Sequence, residues 1–299
     1  MTFPSSEQTS PTARPSRAAG RRLARAALAA AALALLAGCA SVPLSSGAGL
    51  TSTARLGQES GSFGKTRSFA DKQALAAART VRIVPTTLSA QAASRVPKAA
   101  DRVLVSNAID RATCIALSDR FEIVAGNQPA DLSVHSIVAD IVPTDKVLAG
   151  ASVAVSLGSS FVLPVGAPRL PLGLGGLSME GEALDRSGQQ VAALVWAKGA
   201  NSLTTKPRVS DVGDAYALAS SYGGALATLL AKGTPPPDVN IAIPSGQRVQ
   251  SFLGGKPKYA ACDAFGRQAG IPGFVSGMVG APPEWTDPSA RAPAPAPAR

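Results

Sequence analysis

One histidine, three cysteines and an aromatic content of 4% leave this 299-residue chain little material for several kinds of chemistry. Any Ser-His-Asp or Cys-His site must use His135, and no cysteine or histidine has the spacing of a metal ligand set. No Gly-x-Ser-x-Gly elbow occurs; Gly176, Ser178 and Glu180 come nearest but lack the second glycine. Gly173, Gly175 and Gly176 precede a strand, whereas a phosphate loop follows a strand and opens a helix. No cofactor is therefore expected. Nor is any uncharged run both long and apolar enough to span a bilayer, which takes roughly 20 residues. The twelve from Ala26 to Ala37 are too few, and the 22 between Lys146 and Arg169 are broken by Gly150, Gly158 and Pro164.

What is present begins with that short run. Arg21, Arg22 and Arg25 precede it, and Leu36, Ala37, Gly38 and Cys39 close it, the layout of an export signal. This stretch resembles the lipobox of bacterial lipoproteins: small residues suit the peptidase before the cut, and a thiol follows it. The resemblance implies cleavage between Gly38 and Cys39, acylation of Cys39, and a membrane partner reached through that lipid. More than one acyl chain gives stable anchoring. Ala40 and Ser41 lack the aspartate that favours inner-membrane retention in enterobacterial lipoproteins, so the periplasmic face of the outer membrane is the expected location.

The net charge of +10 owes much to the signal. Five of the 29 basic residues and one of the 19 acidic ones lie before residue 39, so the remainder carries 24 and 18, a net +6. Basic residues from Arg55 to Arg82 suit a solvated linker or anionic headgroups. Nucleic acid is disfavoured because an exported protein rarely meets it.

Residues 39–70, dense in Ser, Gly and Thr, read as a flexible tether. A domain follows over 71–233: a short helix at Asp71 to Ala78, a strand from Thr80 ended by Pro85, and a helix from Pro97 to Asp119. Two strands, Phe121 to Ala125 and Asp131 to Val142, are joined by the turn Gly126 to Pro129. Leu177 to Leu184 and Gln190 to Gly199 form a hairpin turning at Asp185 to Gly188. A last helix, capped by Ser210, buries Val212, Ala215, Leu218, Ala219, Tyr222, Leu226 and Leu229 before Gly233 stops it. The expected fold is α+β: a two-layer sandwich of a five-stranded, largely antiparallel sheet with two helices on one face. Residues 234–299 read as a Pro-rich, partly disordered tail in which 241–252 and 259–279 dock locally.

In an oxidising compartment the two remaining thiols can bond. Cys114 falls opposite the middle of its helix's apolar stripe, beside Val103, Asn107 and Leu117, and Cys262 lies in a stretch with no core of its own. A Cys114–Cys262 disulfide pinning the tail to the helix's back is the expectation; two unpaired thiols are the alternative.

The lipobox, the acidic strand Glu180 to Asp185 turning through Ser187 and Gly188 into Val191 and Ala192, and the helix opened by Asp214 and Ala215 together resemble the domain-of-unknown-function family 3313 (DUF3313) of envelope lipoproteins. The resemblance spans about Cys39 to Gly233 and brings no chemistry with it. Candidate chemistry is thus limited to His135, which reads as an ordinary sheet histidine sharing a face with Ser133, Ile137, Ala139 and Ile141, and to Glu180 and Glu182, two apart on one strand. That spacing suits a paired-carboxylate acid/base site, although an exposed strand face is the simpler reading.

The insertion 143–176, with Val153, Val155 and Leu157 alternating before Phe161, Val162 and Leu163, is expected either to touch lipid or an envelope protein or to fold back over the open sheet face. The leading reading is a non-enzymatic accessory or interaction module in envelope assembly or transport. Its rivals are a secretion-pore subunit whose insertion supplies transmembrane strands, and a periplasmic hydrolase.

Overall fold

The computed structural model describes residues 42–160, 169–237 and 244–291. Gly38, Cys39, Phe161, Val162, Leu163 and the final Pro-rich residues lie outside them. The fold is α+β, built on one seven-stranded mixed sheet. The strands are β1 (Lys65–Ala70), β2 (Thr80–Ile83), β3 (Thr87–Leu88), β4 (Glu122–Val124), β5 (Leu132–Val142), β6 (Gly176–Asp185) and β7 (Gln190–Gly199). Their order is β1-β7-β6-β5-β2-β4, with β3 also pairing β5.

A five-stranded, largely antiparallel sheet was expected; β1, which pairs β7, and β3 raise the count to seven, and two features make the sheet mixed. First, β4 and β5 are not a hairpin: β2 lies between them and pairs both in parallel. Second, β2 and β3 both run parallel to β5 on its same side, interrupted around Pro85, whose ring carries no N–H for the ladder. The β6–β7 hairpin sits where its turn chemistry puts it, with Gly188 at φ +80°. A bulge between Val138 and Asp140 shifts the β5 register by one residue. Ile141 therefore pairs with Leu177 and faces the core, not the face of His135.

Two long helices, α3 (Ala99–Leu117) and α5 (Gly213–Lys232), cover the inner face. The short α1 (Lys72–Ala77) and α2 (Ala90–Arg95) precede both in the chain, and α4 (Lys146–Ser160), within the insertion, lies between them. Close crossing of α3 and α5 requires Gly223, where a Cβ would stand 2.7 Å from the Ala112 carbonyl carbon. Tyr222 is fully buried, with its hydroxyl 2.8 Å from Ser136 Oγ and its ring edge-on to Trp196.

The α5 N-terminus is capped otherwise than expected. The Val212 cap makes no side-chain bond, and the Asp214 N–H donates to Thr144 Oγ1 at 3.1 Å. Ser210 Oγ accepts from the Val212 N–H at 3.3 Å, one residue ahead of the helix, and donates to Glu284. Arg169 and Asp214 form a bidentate pair, 2.5 and 2.9 Å, with side chains at most 1% exposed, and the Gly175 N–H adds a third bond. A single carboxylate thus ties α5 to the loop that enters β6.

Within the insertion the described residues form α4 over Lys146–Ser160 and irregular chain over 169–175, with none of the alternating strands that the pore reading needs. Asp145 opens α4 by accepting from the N–H groups of Val147 and Leu148. Among the described residues no helix is long and apolar enough to cross a membrane.

The C-terminal segment is structured where described: α6 (Gly246–Phe252), a 3₁₀ turn (Ala260–Phe265), α7 (Gly270–Met278) and α8 (Pro283–Thr286). It packs across the back of α3. Arg111 reaches Asp287 at 2.6 Å, both buried, and Asp287 also accepts from the Tyr216 hydroxyl and from Ser289. Burial alone would raise the Asp287 pKa, but Arg111 and these donors hold it below the usual carboxylate range.

Candidate functional site

The stretch expected to be a loose tether is a strap laid across the outer face of the sheet. Leu44, Leu50 and Leu56 pack with Phe69 on Ala193 and Val195, and the chain then enters the sheet as β1. What holds the strap is the carboxylate pair. Glu180 and Glu182 are 0% and 5% exposed, so the reading of an exposed strand face is corrected. Glu180 Oε1 accepts from the N–H groups of Gly47 and Ala48, and Oε2 from those of Gly49 (2.8 Å) and Leu50 (3.2 Å). Glu182 accepts from the Thr51 N–H and hydroxyl, both at 2.9 Å, and from Gln190 Nε2 at 2.8 Å.

Five consecutive backbone N–H groups converging on two carboxylates form an anion-binding concavity whose anion is the protein's own. Gly47 makes the curl possible with φ +97°, and Gly49 leaves room for the Ile137 side chain. Glu180 thus accepts four hydrogen bonds and Glu182 three, which occupies most of the acceptor capacity that acid/base chemistry would use. The clasp is therefore a structural lock between strap and sheet.

His135 faces outward beside Ser133, across from Glu182. Burial lowers its pKa, against the opposing pull of Glu182 and with some help from Arg82. It opens onto a shallow recess with Arg82, Ser133, Asp185 and Arg186. The Ser133 hydroxyl there accepts from Arg82 at 2.7 Å. Among the described residues, no group of three or more His, Cys, Asp or Glu is placed to hold a metal ion.

The structure joins Cys114 to Cys262, with Cα atoms 5.8 Å apart and both residues buried. One turn earlier on α3, Arg111 is bound by Asp287, so the C-terminal segment is held to the helix at adjacent points.

A second feature escaped the sequence reading. Beneath α7 runs a groove of about 430 Å³ lined by Lys198, Lys206, Arg208, Tyr216, Phe252 and Phe274. Burial lowers the Arg208 pKa, and its guanidinium lies 5.5 Å from the Tyr216 ring centre. Lys206 stands over the Phe274 ring at 5.8 Å. The signal for it was scattered between the end of β7, the loop after it and the C-terminal segment.

No curated protein matches the chain. Two similar solved structures are both of PelC from Paraburkholderia phytofirmans, one a dodecamer and the other the dodecamer of a leucine-to-methionine variant. They are 11% and 10% identical, and each alignment covers 56% of this chain and 97% of that one, at a TM-score of 0.34. Superposition that loose supports no inference about fold or role. The family model described as "Protein of unknown function (DUF3313)" matches residues 47–226, which begin at the first strap residue bound by Glu180 and take in the sheet and most of α5. The chain belongs to the DUF3313 family.

Proposed function

We propose that the protein is a non-enzymatic interaction module of the cell envelope, anchored by lipid on Cys39 to the periplasmic face of the outer membrane. The observation that carries this reading is the clasp. The residues best suited by type to acid/base work, Glu180 and Glu182, are spent on fixing the segment that follows the lipobox. Val42, three residues beyond Cys39, is already buried against Gly176, so the anchor leads almost at once into the folded body. A chain built this way holds a rigid unit close to a bilayer, which suits docking or assembly more than turnover of a diffusing substrate.

The test is fractionation of cells fed an alkyne-bearing palmitate analogue. The wild-type chain should sediment with outer membranes and carry the label, and a Cys39→Ala variant should lose the label and leave the outer membrane. Recovery of wild-type protein in the soluble periplasm, unlabelled, overturns the proposal.

A further inference from the structure

The geometry points to one end of the sheet as the surface that sits in the bilayer interface, and we propose that it binds an anionic phospholipid surface. The inference rests on the anchored reading above and adds an orientation to it. Val42 lies three residues beyond Cys39, and a fully extended chain covers at most about 11 Å over that span. Val42 packs on Gly176, where β6 begins. The register puts Gly176 beside Gly199, the last residue of β7, and beside Val142, the last residue of β5, while β1 starts opposite Ala197. All four strand ends therefore lie within reach of the acyl chains.

The loops at that end, and the first turn of α4, carry exposed apolar side chains. Phe63 precedes β1 and is 61% exposed; Leu172 precedes β6 at 57%; Leu203 follows β7 at 85%; Val147 follows β5 at 81%. The loops are not loose. The Arg169 N–H donates to the Ser202 carbonyl, the Ala200 N–H to Gly175, and the Asp145 N–H to Gly173, while the Arg169–Asp214 pair locks them to α5. Rigid, exposed, large apolar residues gathered at one end of a domain are the pattern of a surface that meets an apolar phase.

Charge complements this surface. The groove beside Leu203 supplies Lys198, Lys206 and Arg208, with no acidic residue in its lining. The acids nearby are engaged: Glu59 with Lys65, Asp211 with Lys146, Asp145 with the α4 N-terminus, and Glu284 with Ser210. Apolar side chains flanked by lysines whose stems can reach headgroups suit a bilayer containing anionic lipid.

The test uses the lipidated full chain in vesicles of phosphatidylethanolamine with and without phosphatidylglycerol. Nitroxide labels are placed by Leu172→Cys, Leu203→Cys and, on the β6–β7 turn roughly 30 Å along the strand, Ser187→Cys. Labels at 172 and 203 should be relaxed more by oxygen than by a water-soluble nickel chelate, with the ratio reversed at 187. Lys198→Ala with Lys206→Ala should lower that ratio at 203 only when phosphatidylglycerol is present. Chelate access at 172 and 203 equal to that at 187, on protein that floats with vesicles and carries its acyl mass, overturns the orientation and leaves the anchor standing. The same access in vesicles combined with immobilised labels in native membranes points to a protein occupant and also overturns it. Protein that neither floats nor carries acyl mass overturns the anchored reading, and this inference falls with it.

Discussion

Replacing Glu180 by Gln removes one acceptor oxygen, and the negative charge, from the point where four strap N–H groups meet. An amide in the same place satisfies only one pair of donors, either Gly47 and Ala48 or Gly49 and Leu50. Its NH₂ group then confronts the other pair. Hydrogen bonds to a charged group contribute about 1.5–3 kcal/mol each, and losing two of them costs roughly 3 kcal/mol or more. The loss is capped because the strap can lift off and rehydrate, surrendering the packing of Leu44, Leu50 and Leu56 on Val195. A change of roughly 3 kcal/mol corresponds to about a hundredfold change in the opening equilibrium. Hydrogen-exchange mass spectrometry reads this directly. Peptides covering 44–57 should exchange about a hundredfold faster in Glu180→Gln than in the wild type, while peptides from α3 keep their protection. Unchanged strap exchange, or acceleration spread evenly through strap and α3, refutes the clasp as the element that fixes the strap.

Other consequences follow from buried groups. Asp110, fully buried on α3, accepts from the N–H and hydroxyl of Thr86 in the break between β2 and β3, and burial raises its pKa from 3.8 to about 7. Between those values the native state holds a proton that the unfolded chain has released. Stability from this group therefore declines as pH rises from about 4 to 7, by roughly 4 kcal/mol at most. Asp110→Asn should flatten that part of the curve in urea titrations; an unaltered slope rejects the assignment. Asp214→Ala strands Arg169 in the core and should destabilise by about 3–5 kcal/mol in the same assay. Reducing the Cys114–Cys262 bond, which closes a sequence separation of 148 residues, should cost up to about 4–5 kcal/mol in the chain-entropy model. It should expose the C-terminal segment to protease before α5, and two alkylatable thiols in unreduced protein from the envelope would contradict the pairing. His135→Ala should leave folding and localisation intact, and an envelope defect from it as severe as that of deleting the whole protein would revive the hydrolase reading.

How much of this was legible in the chain depended on whether the determining interactions were local. The β6–β7 hairpin follows from Asp185 to Gly188, and the stripe of α5 follows from its helical spacing, because neighbours in sequence settle both. Placing β2 between β4 and β5 depends on parallel pairing across long connections, which no short-range pattern records. The bulge after Val138 reversed the facing of Ile141, and a single unpaired residue leaves no mark on alternation. In the insertion, Val153, Val155 and Leu157 alternate like a strand yet sit on a helix opened by Asp145, so the cap outweighed the period.

The strap was the largest miss. Its Ser, Gly and Thr composition is that of a linker, because its order comes from backbone N–H groups bound by two distant carboxylates. The one available hint was the pair itself: Glu180 and Glu182 lie on a strand whose other residues from Gly176 to Leu184 are uncharged, a setting in which buried carboxylates need dedicated donors. The groove of Lys198, Lys206 and Arg208 was invisible for a similar reason, since its members meet only after the C-terminal segment has folded onto α5.

The account turns on a lipid at residue 39, and intact-mass analysis of the protein extracted from membranes examines it most directly. The mature chain should begin at Cys39 and exceed its polypeptide mass by a diacylglyceryl group, with a further acyl chain where the amine is also modified. A mature chain beginning at any other residue, or one at Cys39 with no added mass, contradicts it.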